Sequence, residues 1–123
     1  MRAYFLDSED NILLANQIIK DMKESNSPRE KCQLYLLYIN KEALQKLDLK
    51  EDRELCLKYL QESADANISL CAFELGVAYF EGKYPVNIVD KNKGIYYLKK
   101  ALLGTYPQAI PYIRRMNIDL TKQ

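Results

Sequence analysis

The feature that most limits the fold of this chain is an internal repeat with a spacing close to 38 residues. The paired positions stand 37 to 39 residues apart: Asp52 and Asp90, Cys56 and Gly94, Tyr59 and Tyr97, Asn67 and Gly104, Cys32 and Cys71. A period of this length is typical of stacked helix–turn–helix units. One such unit cannot bury its apolar face alone, so we expect neighbouring units to stack and share a core.

Apolar residues recur at helical spacing in six segments of the 123-residue chain. The predicted helices cover residues 8–24, 28–41, 51–64, 68–81, 91–103 and 107–117. Residues 42–50 form either a short helix or a loop, and residues 3–6 are a candidate for a short extended start. Gly82 suits a left-handed C-cap, and Gly104 ends the helix that follows. The pattern predicts a single all-α domain over residues 1–123, a short α/α solenoid of about six antiparallel helices.

One stretch, residues 71–109, resembles a Sel-one-like repeat, a relative of the tetratricopeptide repeat. The family pattern is matched in order by Cys71, Leu75, Gly76, Tyr79, Gly82, Val86, Asp90, Lys93, Gly94, Tyr97, Lys100, Ala101 and Gly104. Gly94 stands where alanine is usual, two extra residues precede Asp90, and one is missing before Gly104. The resemblance implies a degenerate repeat at 32–70, preceded by the helix at 8–24 and followed by a half-repeat at 107–117.

Gly76 lies inside a predicted helix, where glycine costs about 1 kcal/mol relative to alanine. Such a cost is understandable if a bulky side chain of the next helix approaches the backbone at that point. We expect Tyr97 to be that side chain, and the small Cys71, Ala72 and Ala101 to serve the same close packing.

In tetratricopeptide-like stacks the first helix of each pair lines a concave surface. The resemblance therefore implies a partner-binding groove at Leu34, Tyr38, Phe73, Val77, Phe80 and Arg114. Its apolar floor and basic edge suit an amphipathic helix or an extended peptide. The alternative is that the strip formed by Phe73, Val77 and Phe80 packs on neighbouring helices as part of the core.

Composition argues against several other classes of function. The chain has 18 basic and 17 acidic residues, which does not favour a nucleic-acid or membrane-surface partner. It contains no histidine and no nucleotide-binding or hydrolase motif, so we expect neither an enzyme nor a cofactor or metal. Cys32, Cys56 and Cys71 lack disulfide-framework spacing and are expected to be buried and reduced. With no apolar leader, a cytoplasmic location is expected.

The resemblance implies a bacterial-type interaction module, either an adaptor in a larger complex or an inhibitor such as an immunity protein that blocks a toxin. Two alternatives remain open. The strip with Phe73 and Phe80 closes a homodimer, or Glu74, Tyr38 and Arg114 converge on a small ligand.

Overall fold

The structure, a computed structural model, describes residues 8–121 of the chain. This part contains seven α-helices: α1 Ser8–Glu24, α2 Pro28–Tyr38, α3 Lys41–Lys46, α4 Arg53–Asp65, α5 Ser69–Glu81, α6 Lys91–Leu103 and α7 Ala109–Arg115. No strand occurs between residues 8 and 121, so the predicted all-α fold is confirmed. Within the same range, no helix combines the length and the apolar character that crossing a bilayer requires.

Several boundaries differ from the prediction. The Asn40 side chain accepts a hydrogen bond from the Ala43 N–H at 3.1 Å and caps α3, so α2 stops at Tyr38 rather than at residue 41. The segment where helix or loop was open begins as the helix α3, which ends at Lys46. The last helix covers 109–115 rather than 107–117, because turns occupy the residues before it. The candidate extended start at residues 3–6 lies outside the described residues.

Local capping signals recur at the repeat spacing. Asp52 caps α4 and Asp90 caps α6, each accepting from a backbone N–H three residues on, at 3.0 and 3.1 Å. Gly82 ends α5 with a left-handed φ of 73°, as predicted. Gly104 ends α6, but the left-handed φ of 60° belongs to Thr105. These caps explain why the sequence locates most helix ends to within two residues.

Each helix packs mainly on its neighbours along the chain. The contacts join α1 to α2, α2 to α3 and α4, α4 to α5, α5 to α6, and α6 to α7, with α5 and α6 making the most extensive one. The fully buried Leu34, Leu60, Leu75 and Leu98 belong to the core between these helices. The pairs α2/α4 and α5/α6 correspond to the two predicted repeats, while their arrangement as a solenoid stays a prediction.

Gly76 and Gly94 lie where α5 and α6 cross. A Cβ atom at Gly94 would lie 2.8 Å from the Phe80 nitrogen and 2.9 Å from the Gly76 oxygen. At Gly76 a Cβ would lie 2.9 Å from Leu98 Cγ and 3.0 Å from the Gly94 oxygen. The prediction that Tyr97 approaches Gly76 is therefore wrong, because Leu98 occupies that place. The contact between the two backbones explains why glycine stands at position 94.

We expect Gly94→Ala to lower the free energy of unfolding by about 1–3 kcal/mol, because backbone atoms of α5 leave no room for a methyl group. Urea unfolding followed by circular dichroism measures the change. Asn92→Ala, on the exposed side of the same helix, is the control and should stabilise by up to about 0.7 kcal/mol through helix propensity. A Gly94→Ala protein as stable as wild type would contradict this packing.

Candidate functional site

The predicted strip on α5 is half-buried rather than fully open or fully enclosed. Phe73, Val77 and Phe80 each keep part of their surface in contact with solvent. The Phe73 ring packs against Tyr106 and Tyr112, with ring centres 5.3 and 5.7 Å away. Lys91 Nζ lies 5.3 Å from the centre of the Phe80 ring. One side of the strip therefore packs on its own chain, and a groove on its other side stays a prediction.

The predicted groove positions on α2 are wrong. Leu34 is 0% exposed, and Tyr38 is buried with its ring centre 6.2 Å from that of Tyr59. Leu34 has no surface to offer to a partner, and Tyr38 keeps only 5% of its surface exposed. Arg114 of α7 is exposed, as the prediction requires.

The error on α2 is one of register between the repeats. The sequence pairs the helices α2 and α5 through Cys32 and Cys71, which are 39 residues apart. In the structure, the buried positions of the two helices correspond at a separation of 41 residues. Leu34 and Leu75, 41 apart, are both fully buried. Two tyrosine pairs repeat with ring centres 6.2 Å apart in each, Tyr38 with Tyr59 and Tyr79 with Tyr97. The Leu-x-x-x-Tyr spacing common to both helices is the sequence signal that identifies this register.

In the corrected register, other α2 residues occupy the surface. Leu36 corresponds to Val77 and Ile39 to Phe80, and both α2 residues are exposed. Between α2 and the start of α5 lies a cleft of about 580 Å³. It is lined by Arg29, Cys32, Gln33, Leu36, Asn67, Ile68, Ser69, Leu70 and Gly104. We call this the α2/α5 cleft; none of its lining residues was among the predicted site residues.

A disulfide between Cys32 and Cys71 joins the two helices that form the cleft. Their Cα atoms are 6.0 Å apart, and the bridge is buried. The prediction that these two cysteines are reduced is wrong, because the packing of α2 beside α5 brings them together. Cys56 is free and buried, and burial raises the pKa of its thiol to about 12, which makes it a poor nucleophile.

Two tyrosine–carboxylate hydrogen bonds tie α5 to the helices on either side of it. The Tyr35 hydroxyl of α2 donates to Glu74 Oε1 at 3.1 Å, and the Tyr112 hydroxyl of α7 donates to Glu81. Burial, and then the Glu74 carboxylate, raise the pKa of Tyr35. The bond from Tyr112 lowers the pKa of Glu81. The two hydrogen bonds hold the helices in place, and the perturbed pKa values of Tyr35 and Glu81 therefore have a structural cause.

The small-ligand alternative needs Glu74, Tyr38 and Arg114 to converge. A cavity of about 450 Å³ does open beside Tyr38, but Ile39, Lys41, Glu51 and Tyr84 form the rest of its lining. Glu74 instead accepts its hydrogen bond from Tyr35. The lining of this cavity therefore does not bring the three predicted groups together.

The site contains the parts of a binding surface: apolar side chains, polar groups and one cation around a cleft between linked helices. In residues 8–121, no group of three or more cysteine and acidic side chains is placed to hold a metal ion. The Sel-one-like resemblance rests on the residues between Cys71 and Gly104, and it stays a prediction. Comparisons with protein-family models, with curated proteins and with solved structures find no match to this chain.

Proposed function

We propose that this chain is a non-enzymatic module that binds a segment of another protein in the α2/α5 cleft. The observation that carries the proposal is the cleft itself, about 580 Å³ in volume and bridged by a disulfide. Leu36 and Leu70 offer apolar surface, while Gln33 and Asn67 offer amide groups. Apolar area with a few placed polar groups is the usual make-up of a binding cleft, and a cleft held in place by a cross-link lowers the cost of ordering on binding.

The charges at the cleft favour an acidic segment with apolar side chains. Arg29 is the one charged residue in the lining. At the edge, Lys100 Nζ donates to Asn67 Oδ1 at 2.7 Å, which holds a second cation near the entrance. A carboxylate of the partner would pair with Arg29, and its apolar side chains would cover Leu36 and Leu70.

The titratable groups support binding rather than catalysis. The free thiol, Cys56, is buried with a raised pKa. Tyr35, Tyr97 and Tyr112, whose pKa values are raised by burial and by neighbouring carboxylates, donate hydrogen bonds to carboxylates within the helix packing. The cytoplasmic location expected from the sequence stays a prediction, and the disulfide weighs against it because disulfides persist mainly in oxidising compartments. An inhibitor or immunity protein is the narrower form of the proposal and requires a single cognate partner whose activity is blocked.

The test uses Arg29→Glu combined with Leu36→Glu, two exposed positions of α2 on the cleft. Partners captured from a native lysate by wild type are identified by mass spectrometry, and the purified partner is titrated by calorimetry. We expect the double variant to lose at least about tenfold in affinity, since apolar anchors and charge pairs at the centre of an interface carry most of its energy.

Ile88→Glu is the matched control, because Ile88 is also an exposed apolar residue but follows the far end of α5. It should bind like wild type. Equal affinity for the cleft variant and wild type would reject the cleft as the site. Phe73 is unsuitable for this test because it packs on two tyrosines.

A further inference from the structure

The two ends of the described chain are complementary half-repeats. The second helix of the first pair, α4, packs on α5, which is the first helix of the next pair. The contact of α1 with α2, and that of α6 with α7, likewise join a second helix to the first helix of the next pair. In this scheme α1 takes the position of a second helix and α7 takes the position of a first helix.

The exposed side of α1 carries three large apolar residues among its polar ones, where the exposed side of α4 carries none. Leu13 is 68% exposed, and Leu14 and Ile18 are also more than half exposed. On α4 the exposed positions are all charged: Arg53, Glu54, Lys58, Glu62 and Asp65. Terminal repeats normally present a polar outer face, so the three apolar residues of α1, here called the α1 stripe, lack the usual cap.

The opposite end carries a second apolar surface, which we call the C-terminal patch. It consists of Leu102, Leu103, Tyr106, Ile110 and Leu120. Leu103 is 86% exposed, and shallow depressions of about 210 and 220 Å³ lie on either side of Leu102. Contiguous exposed apolar surface of this kind marks an interaction site.

The charges of the two ends also complement each other. The α1 segment, Ser8–Glu24, has four acidic and two basic residues. Residues 91–121, at the opposite end of the chain, have six basic residues and one acidic residue. Opposite net charges favour contact between unlike ends and disfavour contact between like ends.

We propose that the α1 stripe of one copy packs on the C-terminal patch of a second copy, so that α7 and the incoming α1 complete a helix pair. Because the two surfaces differ, the contact is heterologous and each added copy leaves one free surface at each end. Wild type should therefore form a concentration-dependent series of head-to-tail oligomers. The residues of the C-terminal patch are not among those that line the α2/α5 cleft, although Leu103 adjoins Gly104 at the edge of the cleft. The inference does not depend on the proposed function.

The test pairs two variants that each disable one surface. Leu14→Gln with Ile18→Gln removes the α1 stripe, and Leu103→Gln with Ile110→Gln removes the C-terminal patch. Sedimentation velocity should give a mass that rises with concentration for wild type and stays near the monomer mass of 14.4 kDa for each variant alone. An equimolar mixture of the variants should form a dimer and nothing larger, because one intact stripe meets one intact patch. Circular dichroism establishes that both variants are folded.

Three outcomes would overturn the inference. Wild type could remain a monomer at several hundred micromolar, which would leave both surfaces to other partners. Either variant could oligomerise like wild type, which would indicate a symmetric contact of like ends. The mixture of variants could also stay monomeric. Leu36→Gln, in the α2/α5 cleft, is the matched control and should oligomerise like wild type.

Discussion

Replacing both Cys32 and Cys71 with alanine is expected to lower the free energy of unfolding by about 4 kcal/mol. The disulfide closes a loop with a sequence separation of 39 residues. In the chain-entropy model, a cross-link that closes a loop of that length lowers the conformational entropy of the unfolded chain. This raises the free energy of the unfolded state by about 4 kcal/mol. The loss is a large share of the 5–15 kcal/mol typical of a whole domain. Urea unfolding of wild type and variant under non-reducing conditions measures it.

Two controls separate the cross-link from the packing of the sulfur atoms. Wild type unfolded in the presence of dithiothreitol should lose most of the same free energy, and the alanine variant should not respond to the reductant. Thiol titration of unfolded, unreduced wild type should find one reactive group, Cys56, and reduction should raise the number to three. Three thiols before reduction would show that the bridge is absent.

Leu34→Ala is expected to destabilise the protein by about 2–5 kcal/mol, because a fully buried leucine leaves a cavity when it is truncated. Leu36→Ala is the matched control on the same helix, with the same change of side chain and of helix propensity. Leu36 is 37% exposed, so its truncation should cost about 1 kcal/mol or less. Urea midpoints of the two variants give the comparison directly.

This pair of substitutions also tests the register of α2 against α5. In the groove predicted from the sequence, Leu34 faces a partner and its truncation would spare stability while weakening binding. In the structure the roles are reversed, with Leu34 in the core and Leu36 on the cleft. If the Leu34→Ala protein is as stable as the Leu36→Ala protein, Leu34 is not in the core, and the groove predicted from the sequence would be favoured instead.

The capping residues show why the positions of most helices can be predicted from the sequence. Asp52, Asp90 and Gly82 each act on backbone groups within a few residues of themselves, so their effect is visible in a short window. The short α3 was harder to predict, because its one turn and a half carries too few apolar positions to show a period.

The candidate site was less predictable because it depends on how two repeats are aligned. A shift of two residues between α2 and α5 moves a helical position by about 200°, to nearly the opposite face. Leu34 and Tyr38 were therefore assigned to a groove although they lie in the core, while Leu36 and Arg29 were not considered. Phe73 and Val77 lie on the helix where the repeat pattern is clearest; the structure leaves both half-buried, and their assignment to a groove stays a prediction.

By itself the sequence determined the all-α class, the helix ends and the near-38-residue repeat, because capping and apolar periodicity act over short distances. Only the tertiary structure decided that Leu98 rather than Tyr97 meets Gly76, that Cys32 and Cys71 are joined, and where the cleft opens. Those features arise from contacts between residues that are 20 or more positions apart. Their geometry depends on how packed helices cross and on which side chains then meet, and a local pattern such as the shared Leu-x-x-x-Tyr spacing indicates at most the register.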